Sequence, residues 1–186
     1  FRSSAASDVY KRQVQGRGVL VDLEQRHGRD RALVGYDELM RILEEDNIEI
    51  EEGDMACFHT GFAQGLMHMN KNPNEHDLHN TFACLDGRDE KLQDWIRDSG
   101  ISVIIADNYG IEDVSSPLPT GTNPIAMLPL HELCIFKLGI HIGEMFYLTP
   151  LRDWLRKNKR NRFLLTAPPL RLPGAVGSPP SPIATV

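Results

Sequence analysis

Residues 129–146, PLHELCIFKLGIHIGEMF, decide the fold class because a helix pattern is followed directly by a strand pattern. Pro129 suits the first position of a helix and Gly139 is a typical helix end, so a helix is predicted between them. The apolar letters IHIGEMF then predict a strand. The same stretch carries His131 and Glu144, whose side chains are rarely buried without a partner.

Strand and helix patterns alternate along the rest of the chain, which predicts an α/β domain. GVLVDL (18–23) and ISVIIADN (101–108) are apolar runs of the kind found in buried strands. The apolar spacing predicts amphipathic helices over 36–46 and 89–99. Residues 64–81 have the least regular pattern, and HMNKNPNEHDLH (68–79) within them is polar, rich in asparagine and broken by proline, so we predict a loop there.

Composition limits the classes of function. The chain has 186 residues, of which 41% are hydrophobic and 25% charged, as expected for one globular domain. Its net charge of −6 argues against nucleic acid as a partner. It has no apolar run long enough to cross a membrane and no CxxC pair among its three cysteines. We therefore expect a cytoplasmic protein without a membrane partner.

The first stretch, FRSSAASDVYKRQ (1–13), lacks any apolar periodicity. We expect it to be a non-native leader, with a single domain over 14–186. On this hypothesis the native protein began further upstream and the chain is a fragment.

His131 and Glu144 are candidate metal ligands. A helix followed closely by a strand brings the helix start and the strand end towards one edge of the sheet, where α/β folds place their sites. Imidazole nitrogen and carboxylate oxygen suit Zn²⁺ or Mn²⁺. The alternative is a capping histidine and a glutamate paired with a surface arginine. His141 is expected to pack or to support the ligands, and His59, in an apolar strand, could face either side.

Asp107 and Asn108 end the strand ISVIIADN, and a carboxylate there is costly unless it is paired or lies in a site. We predict that both contact the substrate or support the metal ligands; a turn cap is the alternative. Metal-like spacing also occurs among three loop histidines, although a solvated polar loop explains them more simply. They are His68, His76 and His79.

Five blocks, considered together, carry a family resemblance. They are GRGVLVDL, EIEEGDMACFHTGF, GISVIIADNYGIE, PLHELCIFKLGIHIGEMFYLTPL and FLLTAPPLRLPGAVGSPPSPIATV, in that order. This order resembles the C-terminal part of the cyclase family of metal-dependent hydrolases, which includes bacterial kynurenine formamidase and isatin hydrolase. The resemblance covers 16–186, and the last two blocks are its most specific part.

The resemblance implies a swivelling β/β/α fold, with a mixed sheet flanked by helices that is incomplete in this chain. It implies hydrolysis of a small amide, ester or lactone, arylformamidase-like, by a metal-activated water at a zinc or manganese centre that is often binuclear. His131 and Glu144 match the later ligands of that centre. A small-molecule substrate and a homo-oligomer of the full-length protein are also implied.

The chain departs from the family pattern in one respect. The family's N-terminal ligand block, HxGTHxDxPxH or the relaxed GTxxDxxxH, does not occur, and the expected general base lies in that block. We therefore expect this polypeptide alone to be impaired. The competing hypotheses are a non-catalytic α/β binding or oligomerisation module, and replacement of the missing ligands by the loop histidines.

Overall fold

The fold is built on a mixed sheet, here called the main sheet, with helices on both sides. The computed structural model describes residues 14–114 and 126–186, and the predicted leader lies outside them. The strands are β1 Gln15–Asp22, β2 Ala32–Val34, β3 Met55–His59, β4 Ala83–Leu85, β5 Val103–Ala106, β6 His141–Gly143, β7 Arg162–Thr166 and β8 Ile183–Thr185.

The helices fill the connections between these strands. They are α1 Leu23–His27, α2 Tyr36–Glu45, α3 Phe62–His68, α4 Glu75–Asn80, α5 Glu90–Asp98, α6 Pro129–His131, continued by the π-helical segment Glu132–Leu138, and α7 Thr149–Lys157. In the described part of the chain, no helix is both long and apolar enough to cross a membrane. The predicted α/β class and mixed sheet are confirmed.

The main sheet has the strand order β6-β5-β3-β1-β7-β8. Strands β6, β5, β3 and β1 are parallel, whereas β7 and β8 join antiparallel. The carboxyl ends of the parallel strands therefore meet at one edge. Ligand sites of open α/β sheets lie at such an edge.

The central strands are apolar on both faces because each face is covered. Leu20 and Cys57 belong to one buried cluster, which helix α7 joins through Leu155. Val21 and Phe58 point the other way, into a cluster shared with helices α2 and α5. This double burial explains why β1 and β3 have continuous apolar sequences rather than alternating ones.

The predicted helices over 36–46 and 89–99 are confirmed to within one residue at each end, as α2 and α5. Asp89 caps α5 by accepting hydrogen bonds from Lys91 N and Leu92 N, and it also accepts one from Tyr36 N at 2.7 Å. One carboxylate therefore satisfies the first backbone groups of both helices.

The predicted loop over 68–79 is wrong in its second half, because most of α4 lies there. Helix α4 has no buried residue, so it left no apolar pattern in the sequence. Asn74 stabilises its first turn by accepting a hydrogen bond from Asp77 N at 3.2 Å.

A second, small sheet pairs β2 with β4 in parallel. Leu85, the last residue of β4, forms a parallel bridge to Glu112. The hydrogen bonds of that bridge are Leu85 N to Ile111 O, 3.0 Å, and Asp113 N to Leu85 O, 3.1 Å. The small sheet therefore fixes the backbone on either side of Glu112.

Replacing Gly18 with alanine tests the packing of β1 against β7. A Cβ atom at position 18 would lie 2.4 Å from the ring of Phe163, which is buried. We expect Gly18→Ala to lower the free energy of unfolding by about 1–3 kcal/mol in urea denaturation. Gly177→Ala, whose Cβ would meet nothing within 4 Å, is the control. Equal stability of the two variants would contradict this packing.

Candidate functional site

His131 and Glu144 lie side by side, and Glu144 directly follows the carboxyl end of β6. His131 Nε2 is 3.4 Å from Glu144 Oε1, and the two side chains are 25% and 29% exposed. Glu144 Oε1 also accepts a hydrogen bond from Ile111 N at 3.0 Å. The structure therefore brings together the two predicted metal ligands on a surface that solvent reaches.

The inner side of His131 rests on Glu112, a fully buried carboxylate. Glu112 Oε1 accepts hydrogen bonds from His131 N at 3.0 Å and from His131 Nδ1 at 2.9 Å. Its Oε2 accepts one from Leu130 N at 2.9 Å. No local sequence pattern marks Glu112 as a site residue, since its partners lie 18 and 19 positions further along the chain.

The alternative expectation, a capping histidine with an arginine-paired glutamate, does not match this geometry. Glu112 accepts the first backbone donors of α6, and Glu144 faces His131. The hydrogen bonds of His131 to Glu112, and then to Glu144, outweigh its burial and raise its pKa to about 9.

His141 lies at the start of β6, in register with Val103. It lines a largely apolar groove of about 360 Å³ together with Glu144, Ile142 and Phe146. The groove therefore runs directly alongside one of the two candidate ligands. A supporting role for His141 stays a prediction.

A second polar cluster forms a row across neighbouring strands. The β1–β3 register pairs Asp22 with His59. The β3–β5 register pairs Phe58 with Ala106, so the next residues, His59 on β3 and Asp107 just after β5, are also neighbours. His59 Nδ1 is 3.0 Å from Asp22 Oδ1, and His59 Nε2 is 3.2 Å from Thr149 Oγ1 and 4.0 Å from Asp107 Oδ2. All four residues are buried.

Asp107 and Asn108, predicted near the site, belong to this second cluster. Asp107 accepts hydrogen bonds from Thr60 N and Thr60 Oγ1, both at 2.7 Å, and from Gly61 N at 2.9 Å. Burial raises the pKa of Asp107. Asn108 Nδ2 donates to Ala83 O at 2.8 Å. Asp107 thus holds the turn after β3 and Asn108 binds the start of β4, and a role for either in contacting substrate or supporting the metal ligands stays a prediction.

Arginines of α7 close the outer side of this cluster. Arg156 Nε lies 3.1 Å from Asp22 Oδ2, and Arg152 Nη1 lies 2.8 Å from Glu24 Oε2. Burial opposes ionisation of Asp22, but its hydrogen bond to His59 and the charges of Arg156 and Arg152 lower its pKa. The row therefore combines buried charges that compensate one another.

The three predicted loop histidines lie on or beside α3 and α4. His68 Nε2 lies 2.6 Å from Gln64 Nε2, and His79 Nδ1 lies 2.9 Å from Tyr109 Oη. The side chain of His76 is 81% exposed. Within the described residues, no group of three or more His, Cys, Asp or Glu side chains has the geometry of a metal site.

Residues 2–113 match the family model described as "Putative cyclase". The chain belongs to the cyclase family. No curated protein matches this cyclase-family chain.

Solved structures share its fold. A crystal structure described as a novel cyclase is 27% identical with a TM-score of 0.77, and the match covers 93% of this chain and 54% of that one. Isatin hydrolase A from Labrenzia aggregata, bound to benzyl benzoate, is 13% identical with a TM-score of 0.66, over 98% and 65% of the two chains. An isatin hydrolase bound to the product analogue thioisatinate is 16% identical with a TM-score of 0.68, over 96% and 62%. This cyclase-family chain therefore spans about half to two thirds of the length of these structures.

Stability of the metal-free protein should depend on the charge of His131. Its folded pKa of about 9 lies above the ordinary 6.5, so protonation favours the fold. This contribution is complete below the ordinary pKa and is lost as the pH rises through the folded pKa. Urea unfolding of wild type and His131→Gln across this window should give a difference that shrinks with rising pH. A difference in the free energy of unfolding that stays constant with pH would contradict the raised pKa of His131.

The buried row predicts a large effect of His59→Leu. The substitution leaves the carboxylates of Asp22 and Asp107 without the imidazole, so we expect a loss of about 3–5 kcal/mol in the free energy of unfolding. His76→Leu, at an exposed position, is the matched control and should change stability little. Chemical denaturation measures both, and a small effect at His59 would refute the compensation described above.

Proposed function

We propose that the complete protein is a metal-dependent hydrolase of a small amide, ester or lactone, with His131 and Glu144 as two of its metal ligands. The supporting observation is the 3.4 Å separation of His131 Nε2 and Glu144 Oε1. Two atoms that each bind one zinc ion at about 2.1 Å, at a tetrahedral angle, lie roughly 3.4 Å apart. The pair therefore has the spacing that one shared ion requires.

The chemistry of the donors fits the same ion. A nitrogen and a carboxylate oxygen suit Zn²⁺ or Mn²⁺, and a metal ion would replace the proton between His131 Nε2 and Glu144 while Nδ1 stays on Glu112. When bound, the metal would polarise a substrate carbonyl and lower the pKa of a water molecule. His131 and Glu144 would hold it at the solvent-exposed mouth of the site.

The described residues supply only part of a catalytic donor set. A catalytic zinc ion typically has three protein ligands and a water molecule, whereas the described residues contain no cluster of three candidate ligands. We propose that the remaining ligands, and the general base, come from outside these residues, and that the complete centre can be binuclear. The proposal therefore concerns the complete protein.

The substrate class is proposed from the groove and from the fold relatives. The groove beside Glu144 is largely apolar, which suits a substrate with an aromatic or aliphatic portion. The solved structures of similar fold include isatin hydrolases bound to thioisatinate and to benzyl benzoate. An aryl amide, of the kind cleaved by arylformamidases, is one member of the proposed class.

Metal analysis of the full-length protein tests the proposal. We expect His131→Ala and Glu144→Gln each to lower zinc or manganese occupancy, measured by elemental analysis, and to lower hydrolysis of a panel of amides, esters and lactones by more than about a hundredfold. Both losses follow from removal of a direct donor.

His76→Ala is the control for these variants, because it removes an exposed histidine from α4. It should leave metal occupancy and hydrolysis unchanged; a loss would instead favour the loop histidines as ligands. Full metal occupancy in both ligand variants would rule out the assigned site. A full-length protein with neither metal nor hydrolysis would favour the non-catalytic module.

A further inference from the structure

We infer that Glu112 is a positioning residue for the proposed metal site, where it orients the imidazole of His131 so that Nε2 faces the metal and Glu144. This inference rests on the proposed function and extends it to a residue outside the set of ligands.

The hydrogen bond between Glu112 and the ring decides which nitrogen is available. An ionised carboxylate only accepts hydrogen bonds, so His131 Nδ1 must carry the proton that it shares with Glu112 Oε1 at 2.9 Å. In the neutral ring, the lone pair is then on Nε2. This nitrogen lies 3.4 Å from Glu144 Oε1. The buried carboxylate therefore selects the tautomer that can bind a cation on the exposed side.

The Glu112 carboxylate also accepts hydrogen bonds from the backbone at and next to His131. Leu130 N donates to Oε2 and His131 N donates to Oε1, at 2.9 and 3.0 Å. These are the first backbone donors of α6, which intrahelical bonds leave unpaired. Because the backbone and the ring of His131 are bound to one rigid group, the ring has little freedom to turn away.

Glu112 is itself held by the small sheet. Its neighbours Ile111 and Asp113 hydrogen-bond to Leu85, at the end of β4. Gly87 leaves the space that the carboxylate occupies, because a Cβ at Gly87 would lie 1.9 Å from Glu112 Oε2. Ile111 N also donates to Glu144 Oε1 at 3.0 Å. One short segment, Ile111–Asp113, therefore places both proposed ligands.

A purely structural role for Glu112, as a helix cap, makes a different prediction. A cap needs only the two backbone bonds, and its loss would alter stability without altering the imidazole proton. Positioning requires the third bond, to Nδ1, as well. The acceptor charge next to a ligating histidine raises its basicity and fixes its orientation, and loss of such a partner typically weakens metal binding about 10–100-fold.

The test uses the full-length protein, Zn²⁺ as the probe and a competing chelator to measure affinity. Glu112→Gln keeps the size of the side chain but removes its charge, and Gly87→Ala displaces the carboxylate without altering it. We expect both to weaken Zn²⁺ binding, the first by about 10–100-fold. Glu132→Ala is the control, because this neighbouring glutamate is 42% exposed and pairs with Lys137. It should bind Zn²⁺ as wild type does.

Nitrogen-15 NMR of the Zn²⁺-loaded proteins supplies the second readout. In wild type we expect a proton on His131 Nδ1 with a downfield, slowly exchanging resonance and zinc on Nε2. In Glu112→Gln the resonance should shift upfield, since the acceptor has lost its charge. Weaker binding with an unchanged Nδ1–H resonance would mean a helix cap only and would overturn the inference.

The outcomes separate the two proposals. If His131→Ala abolishes Zn²⁺ binding while Glu112→Gln and Gly87→Ala bind as wild type does, the positioning role fails and the proposed function stands. If the wild-type full-length protein binds no Zn²⁺, the proposed function fails, and the positioning role fails with it.

Discussion

The buried carboxylate of Glu112 is the constraint on which the site depends. An ionised group removed from water is costly unless hydrogen-bond donors surround it. Here the donors are Leu130 N, His131 N and His131 Nδ1. The hydrogen bonds that satisfy the Glu112 carboxylate therefore also fix the start of α6 and the orientation of its histidine. Glu144 then meets the outer nitrogen of the same ring. The solvent-exposed pair of His131 and Glu144 therefore depends on the buried hydrogen bonds between Glu112 and His131.

The parallel strands supply the framework for this arrangement. Their carboxyl ends lie at one edge. The segment that follows β5 contributes residues first to the buried row and then to the site of His131 and Glu144. Asp107 first binds the turn Thr60–Gly61, and Ile111 and Glu112 then bind the candidate ligands. The buried row of Asp22, His59 and Asp107 stabilises the edge at which His131 and Glu144 lie. A rigid edge suits a metal site, since ligands must be held within a fraction of an ångström.

Local sequence patterns predicted those features of the fold and the site that depend on residues close together in the chain. The helix-then-strand pattern placed His131 near Glu144 correctly because the two elements follow each other closely. Glu112 could not be found in this way, since its position depends on Leu85, a residue from a different sheet. The facing of His59 was undetermined because both faces of β3 are buried. Helix α4 was missed because it buries no side chain, and periodicity did not distinguish the π-helical turns after α6 from α-helix.

The most direct measurement of the central claim is a crystal structure of the full-length protein with Zn²⁺, using anomalous scattering at the zinc edge. The account predicts an anomalous peak about 2.1 Å from both His131 Nε2 and a carboxylate oxygen of Glu144, with Nδ1 still on Glu112. Zinc bound only elsewhere, with the direct contact between His131 and Glu144 intact at saturating metal, would contradict it.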